Sequence, residues 1–210
     1  AGLSAADVLE CENSGAVTGS GTSIGGIVGE QQSTGYVEYC TNTAAVTNNS
    51  EGYGTGGIVG WLRYSESAAN YQRKSRIYVQ YCMNNGSIAG GYDGGGIVGT
   101  AYNNALVEDC LNTAEFITGN TFAAGIVGNM QCTETVSVEE GDAPIENNIL
   151  VTHNCSATAI ENITAANTAP YAYDNDSAGE TMRAVENYAS IEEWLSAGYG
   201  SWYPVVSAAN

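Results

Sequence analysis

The chain holds few of the side chains that usually perform chemistry, with six Cys and one His in 210 residues. A single His excludes a zinc site built from several His ligands, and it leaves little scope for a His-based catalytic triad. No two Cys form a C-x-x-C pair, so the sequence does not support a zinc ribbon or a thioredoxin-like site. We therefore expect no metal and no cofactor.

Two local motifs could still be sites. His153 and Cys155 could form a nucleophile pair, but this would need a cleft and an orienting group, and a His at a turn is the simpler interpretation. Asp174 and Asp176 begin a run that is similar to a calcium loop, but Ala178 stands where a ligand is needed. We reject an EF-hand and leave a looser calcium site as the alternative to a polar turn.

The charge of the chain is strongly negative and unevenly distributed. The formal net charge of −18 argues against nucleic-acid binding, because an acidic surface repels phosphates. Four of the five basic residues lie in segment 61–78, which is also rich in aromatic side chains. We predict that this segment contacts a partner, such as an acidic or glycan ligand; the alternative is a basic loop that folds over the acidic body. The candidate ligand-binding residues are Trp61, Arg63, Tyr64, Tyr71, Arg73, Lys74, Arg76 and Tyr78.

The candidate residues belong to a chain with an internal repeat, and the fold of that repeat must position them. The pattern V-x-x-C-x-N-x-(G/A)-x-(V/I/F), followed by G-G-I-V-G, occurs four times between Val8 and Gly128, with A-G-I-V-G in the last copy. The Cys residues of successive copies are 29, 42 and 28 residues apart. The second interval therefore holds one repeat plus an insertion of about 13 residues.

The repeat predicts a solenoid made of strands. A period near 29 residues is the size of one supersecondary unit, and the short β-branched runs between Gly, Asn, Ser and Thr favour strands. We predict an all-β fold, a single-stranded parallel β-helix with three short strands per coil. Equivalent side chains of successive coils would then stack in ladders. The predicted ladders are Cys11, Cys40, Cys82 and Cys110; Asn13, Asn42, Asn84 and Asn112; and Ile27, Ile58, Ile97 and Ile126.

Two details of the repeat leave alternatives open. Val8 and Cys11 are three residues apart, so strand alternation would place them on opposite faces unless a bulge or a corner separates them. The Gly pair before each laddered Ile provides either a corner with positive φ or a close approach between walls.

The G-G-I-V-G blocks, alternating with C-x-N-x-G-x-V at a period near 29, resemble the GLUG motif over residues 8–128. GLUG repeats occur in secreted and surface proteins of bacteria, including adhesin-like proteins, and in non-catalytic regions of immunoglobulin A metallopeptidases. The resemblance implies a β-solenoid, an extracellular or cell-surface location and no catalytic residue. The chain departs from the pattern in the insertion after Gly60 and in Ala124 of the fourth copy.

The pattern fades after residue 130. We divide the chain into repeats with an insertion at 61–78 (1–130) and degenerate terminal coils with a cap (131–210). Ser190 and Glu193 form a capping box, which predicts a short helix from about 190 to 197 that covers the open end of the solenoid. Cys132 and Cys155 lie outside the repeat and could form a disulfide.

The expected function is that of a non-catalytic adhesion or interaction module that binds a host protein or a glycan. We expect one segment of a longer surface or secreted bacterial protein, without membrane insertion, since no apolar run approaches the length of a membrane span. One alternative is a passive spacer that displays a neighbouring domain. Another is a glycan-processing β-helix enzyme, which would need two facing carboxylates, whereas the acids of the repeats are scattered.

Overall fold

The chain forms a stack of parallel coils in the computed structural model, which describes residues 2–32, 35–63, 77–102, 105–131, 151–153, 155–157, 159–174, 183–185 and 187–198. Each complete coil contributes one short strand to each of five sheets, and every pairing between the described strands is parallel. The coils span 8–32, 36–63, 77–102, 105–131 and 151–174, and we number them 1 to 5. In the part of the chain that the structure describes, no helix has the length and apolarity to cross a membrane.

We number the sheets in the order in which a coil visits them, and the strands along the chain. Sheet 1 contains β2 (Val8–Leu9), β7 (Tyr36–Glu38), β12 (Ile77–Gln80), β17 (Ala105–Glu108), β22 (Val151–His153) and β26 (Arg183–Val185). Sheet 2 contains β3 (Glu12–Asn13), β8 (Thr41–Asn42), β13 (Met83–Asn84) and β18 (Leu111–Asn112). Sheet 3 contains β4 (Val17–Gly19), β9 (Val46–Asn48), β14 (Ile88–Ala89), β19 (Ile117–Thr118) and β23 (Ile163–Thr164).

The other two sheets complete each coil. Sheet 4 contains β5 (Ile24–Gly25), β10 (Thr55–Gly56), β15 (Asp93–Gly95), β20 (Phe122–Ala124) and β24 (Asn167–Ala169). Sheet 5 contains β1 (Leu3–Ser4), β6 (Val28–Gln32), β11 (Val59–Arg63), β16 (Val98–Tyr102), β21 (Val127–Gln131) and β25 (Ala172–Asp174). A 3-10 turn spans Ile160–Asn162, and the helix α1 spans Ile191–Ser196. The predicted all-β parallel solenoid with a short C-terminal helix is confirmed.

The coil has five short strands where the sequence predicts three, because two of the three break at corners. One corner is the residue before each Cys: Tyr39 and Tyr81 have φ of 54° and 53°. This left-handed conformation is uncommon outside Gly, and it recurs at the same place in coils 1 and 4. The corner turns the chain so that Val37 and Cys40, three residues apart, are both fully buried. It is the corner that the sequence left as an alternative to a bulge.

The cross-section of the solenoid encloses two cores. The first lies between sheets 1 and 5, and it contains the four laddered Ile residues and the Cys side chains of coils 2 to 5. The second lies between sheets 3 and 4 and is built around Ile24, Val46, Ile88, Ile117 and Ile163. Sheets 1 and 5 therefore face each other across the first core, and their outer faces lie on opposite sides of the molecule.

The Cys ladder consists of thiols packed in the first core. Each thiol of coils 2 to 5 donates a weak hydrogen bond to the carbonyl oxygen of the repeat Val one coil earlier, as from Cys82 to Val37 at 3.5 Å and from Cys110 to Val79 at 3.6 Å, whereas Cys11 of coil 1 is exposed. Cys155 occupies the next rung, with its Sγ 3.6 Å from the carbonyl of Val107. Burial, followed by hydrogen bonds to its neighbours in the ladder, raises the pKa of the Cys110 thiol. The buried thiols of coils 2 to 5 thus act as small apolar side chains that favour packing over reactivity.

The Asn ladder is a continuous chain of amide hydrogen bonds along sheet 2. Nδ2 donates to Oδ1 of the next Asn over 2.7 Å from Asn13 to Asn42, 2.8 Å from Asn42 to Asn84 and 2.9 Å from Asn84 to Asn112. Each side chain also bonds the backbone two residues ahead, as from Asn84 to the carbonyl of Gly86 at 2.8 Å. Among the described residues, Nδ2 of Asn112 has no hydrogen-bond acceptor. The ladder ends there because coil 5 has Ala157, two residues after Cys155, at the position where the repeat has Asn.

The second Gly of each G-G-I-V-G block is required by close approach, not by positive φ. A Cβ on Gly57 would lie 2.2 Å from the carbonyl oxygen of Gly96 and 2.3 Å from Cγ of Asn84 in the next coil. Real Cβ atoms do not approach neighbours so closely. The Gly and the Asn of the repeat are therefore two halves of one contact between successive coils, which explains why they recur together.

The tail after residue 130 returns to the solenoid. Strands β22 to β25 stack on coil 4 to form coil 5, and β26 begins another turn of sheet 1. Ser190 caps α1, accepting a hydrogen bond from the backbone N–H of Glu193 at 3.2 Å. Trp194 is fully buried against Met83 and Leu111 on the outer face of sheet 2. The indole of the helix thus covers the side wall of coils 3 and 4, whereas the sequence predicted a cover for the open end.

Candidate ligand-binding site

The outer face of sheet 5 carries Trp61 and Arg63. Leu62 points into the first core and is fully buried, so alternation along β11 directs its two neighbours outward. The guanidinium of Arg63 lies 5.7 Å from the centroid of the Trp61 ring, within the range of a cation–π contact. Tyr102 occupies the next coil, with its ring centroid 5.3 Å from that of Trp61.

A column of aromatic rings lies beside this pair. Tyr53 precedes β10 and Tyr92 precedes β15, and their ring centroids are 4.4 Å apart. The column continues through Phe122, 5.5 Å from Tyr92, to Tyr173, 4.7 Å from Phe122. It therefore extends through coils 2 to 5 along the axis of the solenoid.

The column and the sheet 5 pair form one surface, which we call the aromatic strip. Burial raises the pKa of the Tyr102 phenol, and the nearby Asp93, Tyr53 and Tyr92 act in the same direction, whereas Arg63 opposes them. Tyr102 thus lies between the two sets of rings. Tyr53 keeps 41% of its surface exposed whereas Phe122 is buried, so the strip is open to a ligand in part and covered at coil 4. The strip consists of Tyr53, Trp61, Tyr92, Tyr102, Phe122 and Tyr173, together with Arg63 over the Trp61 ring.

Asp93 lies beneath the rings of the aromatic strip and is held there by hydrogen bonds. Its side chain is fully buried, and its carboxylate accepts hydrogen bonds from the Thr100 hydroxyl, from Nδ2 of Asn129 at 3.3 Å and from the backbone N–H of Gly54. These bonds connect sheet 4 to the outer face of sheet 5 and fix the turn that carries Tyr53. Asp93 is therefore a structural carboxylate, held away from solvent beneath the rings.

Comparison with known proteins finds a solved structure with a similar fold. No family model matches the chain, and no curated protein matches it. A crystal structure at 1.30 Å resolution, of a Bacteroides ovatus protein proposed to be an immunoglobulin A1 protease, is similar with a TM-score of 0.51 and 17% sequence identity. The likeness covers 94% of this chain and 66% of that chain. At this identity it shows a shared fold and nothing about activity.

The structure separates the candidate ligand-binding residues of segment 61–78. Trp61 and Arg63 lie together in the aromatic strip, whereas Tyr78 points outward from sheet 1, on the opposite side of the first core. The other five, Tyr64, Tyr71, Arg73, Lys74 and Arg76, lie outside the described residues. Among the described residues, the segment therefore contributes to two surfaces.

Sequence reasoning missed Tyr53, which is the exposed ring of the strip, and its half-buried neighbour Tyr92. A signal was present, because each stands five residues before a laddered Ile, Ile58 and Ile97 respectively. Equivalent residues of neighbouring coils stack, so two aromatics at this position must meet. Tyr102 carries no such signal, since its partner in the register of sheet 5 is Arg63 and it meets Trp61 on the diagonal.

The other candidate sites fall partly outside the described residues. This applies to Cys132, so its disulfide with Cys155 stays a prediction, and to residues 175–180 of the calcium-like run. His153 pairs with Glu108 in the register of sheet 1. Over the described ranges, no group of three or more His, Cys, Asp or Glu side chains could hold a metal ion.

The pH dependence of stability should report on Asp93. Burial raises the pKa of this carboxyl, while its hydrogen bonds partly offset the effect. A raised pKa in the folded state means that Asp93 contributes stability below its ordinary pKa and loses that contribution as pH rises through the folded value. We expect Asp93→Asn to show a shallower fall in the free energy of unfolding between pH 4 and pH 7 than the wild type, as measured by urea denaturation.

Glu12→Gln provides the control for this experiment, because it removes the same charge from an exposed position of coil 1. Its pH profile should run parallel to that of the wild type. Identical slopes for the wild type and Asp93→Asn would contradict the assignment of a buried, destabilising charge to Asp93.

Proposed function

We propose that the chain is a non-catalytic adhesion or interaction module of a bacterial surface or secreted protein, built from GLUG-type repeats, and that it binds a glycan through the aromatic strip. The observation that carries the proposal is the run of rings over coils 2 to 5, with ring centroids 4.4–5.5 Å apart along the column. Tyr and Trp supply rigid apolar area together with a polar group, and rings presented at a surface suit the apolar faces of sugars.

The burial of the carboxylate beneath the strip favours binding over catalysis. Glycoside hydrolysis needs two carboxylates that reach the scissile bond. Asp93 is fully buried and accepts hydrogen bonds from Thr100 and Asn129, and Glu30, the partner of Trp61 in the register of sheet 5, is a single half-buried acid. We therefore propose that the module holds a ligand and leaves chemistry to other parts of the protein.

A surface or secreted location forms part of the proposal. It is supported by the GLUG resemblance of residues 8–128 and by the described fold neighbour, a bacterial protein proposed to act on immunoglobulin A1, which is an extracellular protein. The passive spacer is the second candidate, and the regular stacking of the coils favours it, because a stiff stack can separate domains without binding anything.

A glycan array followed by isothermal titration of the best ligand tests the proposal. We expect Tyr53→Ala to weaken binding about ten-fold or more, which corresponds to about 1.4 kcal/mol. Tyr39→Ala is the matched control: its ring is 45% exposed against 41% for Tyr53, and it also stacks on a Tyr of the next coil. The control should bind as the wild type does. Equal losses of affinity in the two variants would show that the glycan does not bind at the strip. A wild-type protein that binds no glycan would favour the passive spacer.

A further inference from the structure

The outer face of sheet 1 carries two pairs of stacked tyrosines, on the side of the molecule opposite to sheet 5. The ring centroids of Tyr36 and Tyr78 are 5.5 Å apart, and those of Tyr39 and Tyr81 are 4.9 Å apart with nearly parallel planes, at 13°. Each pair joins coil 2 to coil 3. Tyr36 and Tyr39 are 40% and 45% exposed, so rings of both pairs reach solvent.

A column of polar side chains lies between the two pairs. Glu38, Gln80 and Glu108 occupy equivalent positions in β7, β12 and β17, and all three point outward because the Val before each is buried in the first core. Nε2 of Gln80 donates a hydrogen bond to Oε1 of Glu108. The face therefore presents two carboxylates, separated by Gln80 along the axis, beside aromatic rings.

The electrostatics of this face favour a cation. Burial raises the pKa of the Tyr81 phenol, and the carboxylates of Asp109, Glu108 and Glu38 contribute to the rise together with Tyr39. Burial also raises the pKa of Glu38, with Asp7 among the further causes. Burial is the largest cause of both shifts and neighbouring acids add to them, while the faces of the tyrosine rings present the negative side of their quadrupole.

We propose that this tyrosine–carboxylate face, formed by Tyr36, Tyr39, Tyr78, Tyr81, Glu38 and Glu108, is a docking surface for an arginine-rich peptide segment of a partner protein. A guanidinium is planar, stacks on aromatic rings and binds a carboxylate with two parallel hydrogen bonds. The face offers both kinds of contact side by side in coils 2 to 4. This inference is independent of the glycan-binding proposal, because the two surfaces belong to opposite walls.

A peptide fits this face better than a metal ion does. Over the described residues no cluster of three or more ligating side chains could hold a metal. The acids of sheet 1 are instead spread along the axis, with Gln80 between Glu38 and Glu108 in the register. An extended chain that presents a basic side chain at every second residue can follow such a row.

The test is titration of the full chain with a synthetic peptide in which Arg alternates with Gly, against its Lys counterpart. We expect the Arg peptide to bind more tightly, and Glu38→Gln/Glu108→Gln to weaken its binding about ten-fold or more. The control Glu115→Gln/Glu161→Gln removes the same charge from exposed positions elsewhere and should change affinity less than about two-fold. Equal losses in the two double variants would show attraction to the net charge alone and overturn the proposal.

Three further variants locate the site. Tyr39→Ala should weaken binding of the Arg peptide, whereas Tyr53→Ala, which changes the aromatic strip, should not; the reverse result overturns the proposal. Replacing residues 64–76 with a short Gly-Ser turn should leave binding in place. Loss of binding in that variant would assign the peptide to the insertion and contradict the proposed face. Circular dichroism of every variant separates loss of binding from loss of fold.

Discussion

Replacing Asn84 with alanine is expected to lower the free energy of unfolding by about 3–5 kcal/mol, because four buried partners lose a hydrogen bond at once. Asn84 donates to Oδ1 of Asn112 and to the carbonyl of Gly86, and it accepts from Nδ2 of Asn42 and from the N–H of Gly86. Water cannot replace these bonds, since the side chains of Asn42, Asn84 and Asn112 are at most 1% exposed. Urea denaturation followed by circular dichroism measures the loss.

Asn13→Ala is the matched control for the ladder. Asn13 makes the same contacts with its own turn and with Asn42, but it lies in the first coil, half-buried, and has a laddered neighbour on one side. Its replacement should lower the free energy of unfolding by about 1 kcal/mol, the usual net value of a hydrogen bond near solvent. Similar losses for Asn13→Ala and Asn84→Ala would contradict the view that the ladder stabilises the stack through its buried rungs.

Gly57→Ala is expected to have the second largest effect on stability. It should lower the free energy of unfolding by about 3 kcal/mol or more, which is at or above the upper end of the range for overpacked cores. The added methyl group would meet the Gly96 carbonyl at 2.2 Å and the Asn84 side chain at 2.3 Å. The carbonyl is backbone and cannot rotate away, so coils 2 and 3 must separate locally. In a chain of this size we expect the melting temperature to fall by roughly 6–12 °C.

The control for the packing prediction is Gly15→Ala. A Cβ at Gly15 would have its nearest neighbour, Oδ1 of Asn13, at 3.8 Å, which is an ordinary contact. This variant should change the free energy of unfolding by less than about 0.5 kcal/mol. If Gly57→Ala melts at the same temperature as Gly15→Ala, close approach is not the reason for the Gly in the motif.

The regular part of the fold could be predicted because the repeat constrains it. Identical residues at a period near 29 can all be satisfied only if they stack, so the Asn, Ile and Cys ladders follow from the sequence. The corner before each Cys could not be assigned, since Tyr39 and Tyr81 do not belong to the residue types that favour positive φ. The fifth rung, Cys155, was missed because the insertion of residues after 131 hides its spacing from Cys110.

The candidate site was predicted less well than the fold. Trp61 and Arg63 were selected because they stand in a basic, aromatic segment, and they do lie in the aromatic strip. Tyr78 belongs to the same segment but lies on the outer face of sheet 1, because the chain passes from sheet 5 to sheet 1 between Arg63 and Ile77. Proximity in sequence is therefore a poor guide to proximity in a coil that changes walls every few residues.

The sequence by itself determined the class of fold, the ladders and the helix that begins after Ser190, because each depends on spacing within one repeat or on local capping. Only the tertiary structure decided that two cores form, that Trp194 covers the side wall, and that rings from sheets 4 and 5 meet in one strip. These features depend on the angles at which the chain turns between sheets. Such angles are set by packing across the cores and leave no period in the sequence.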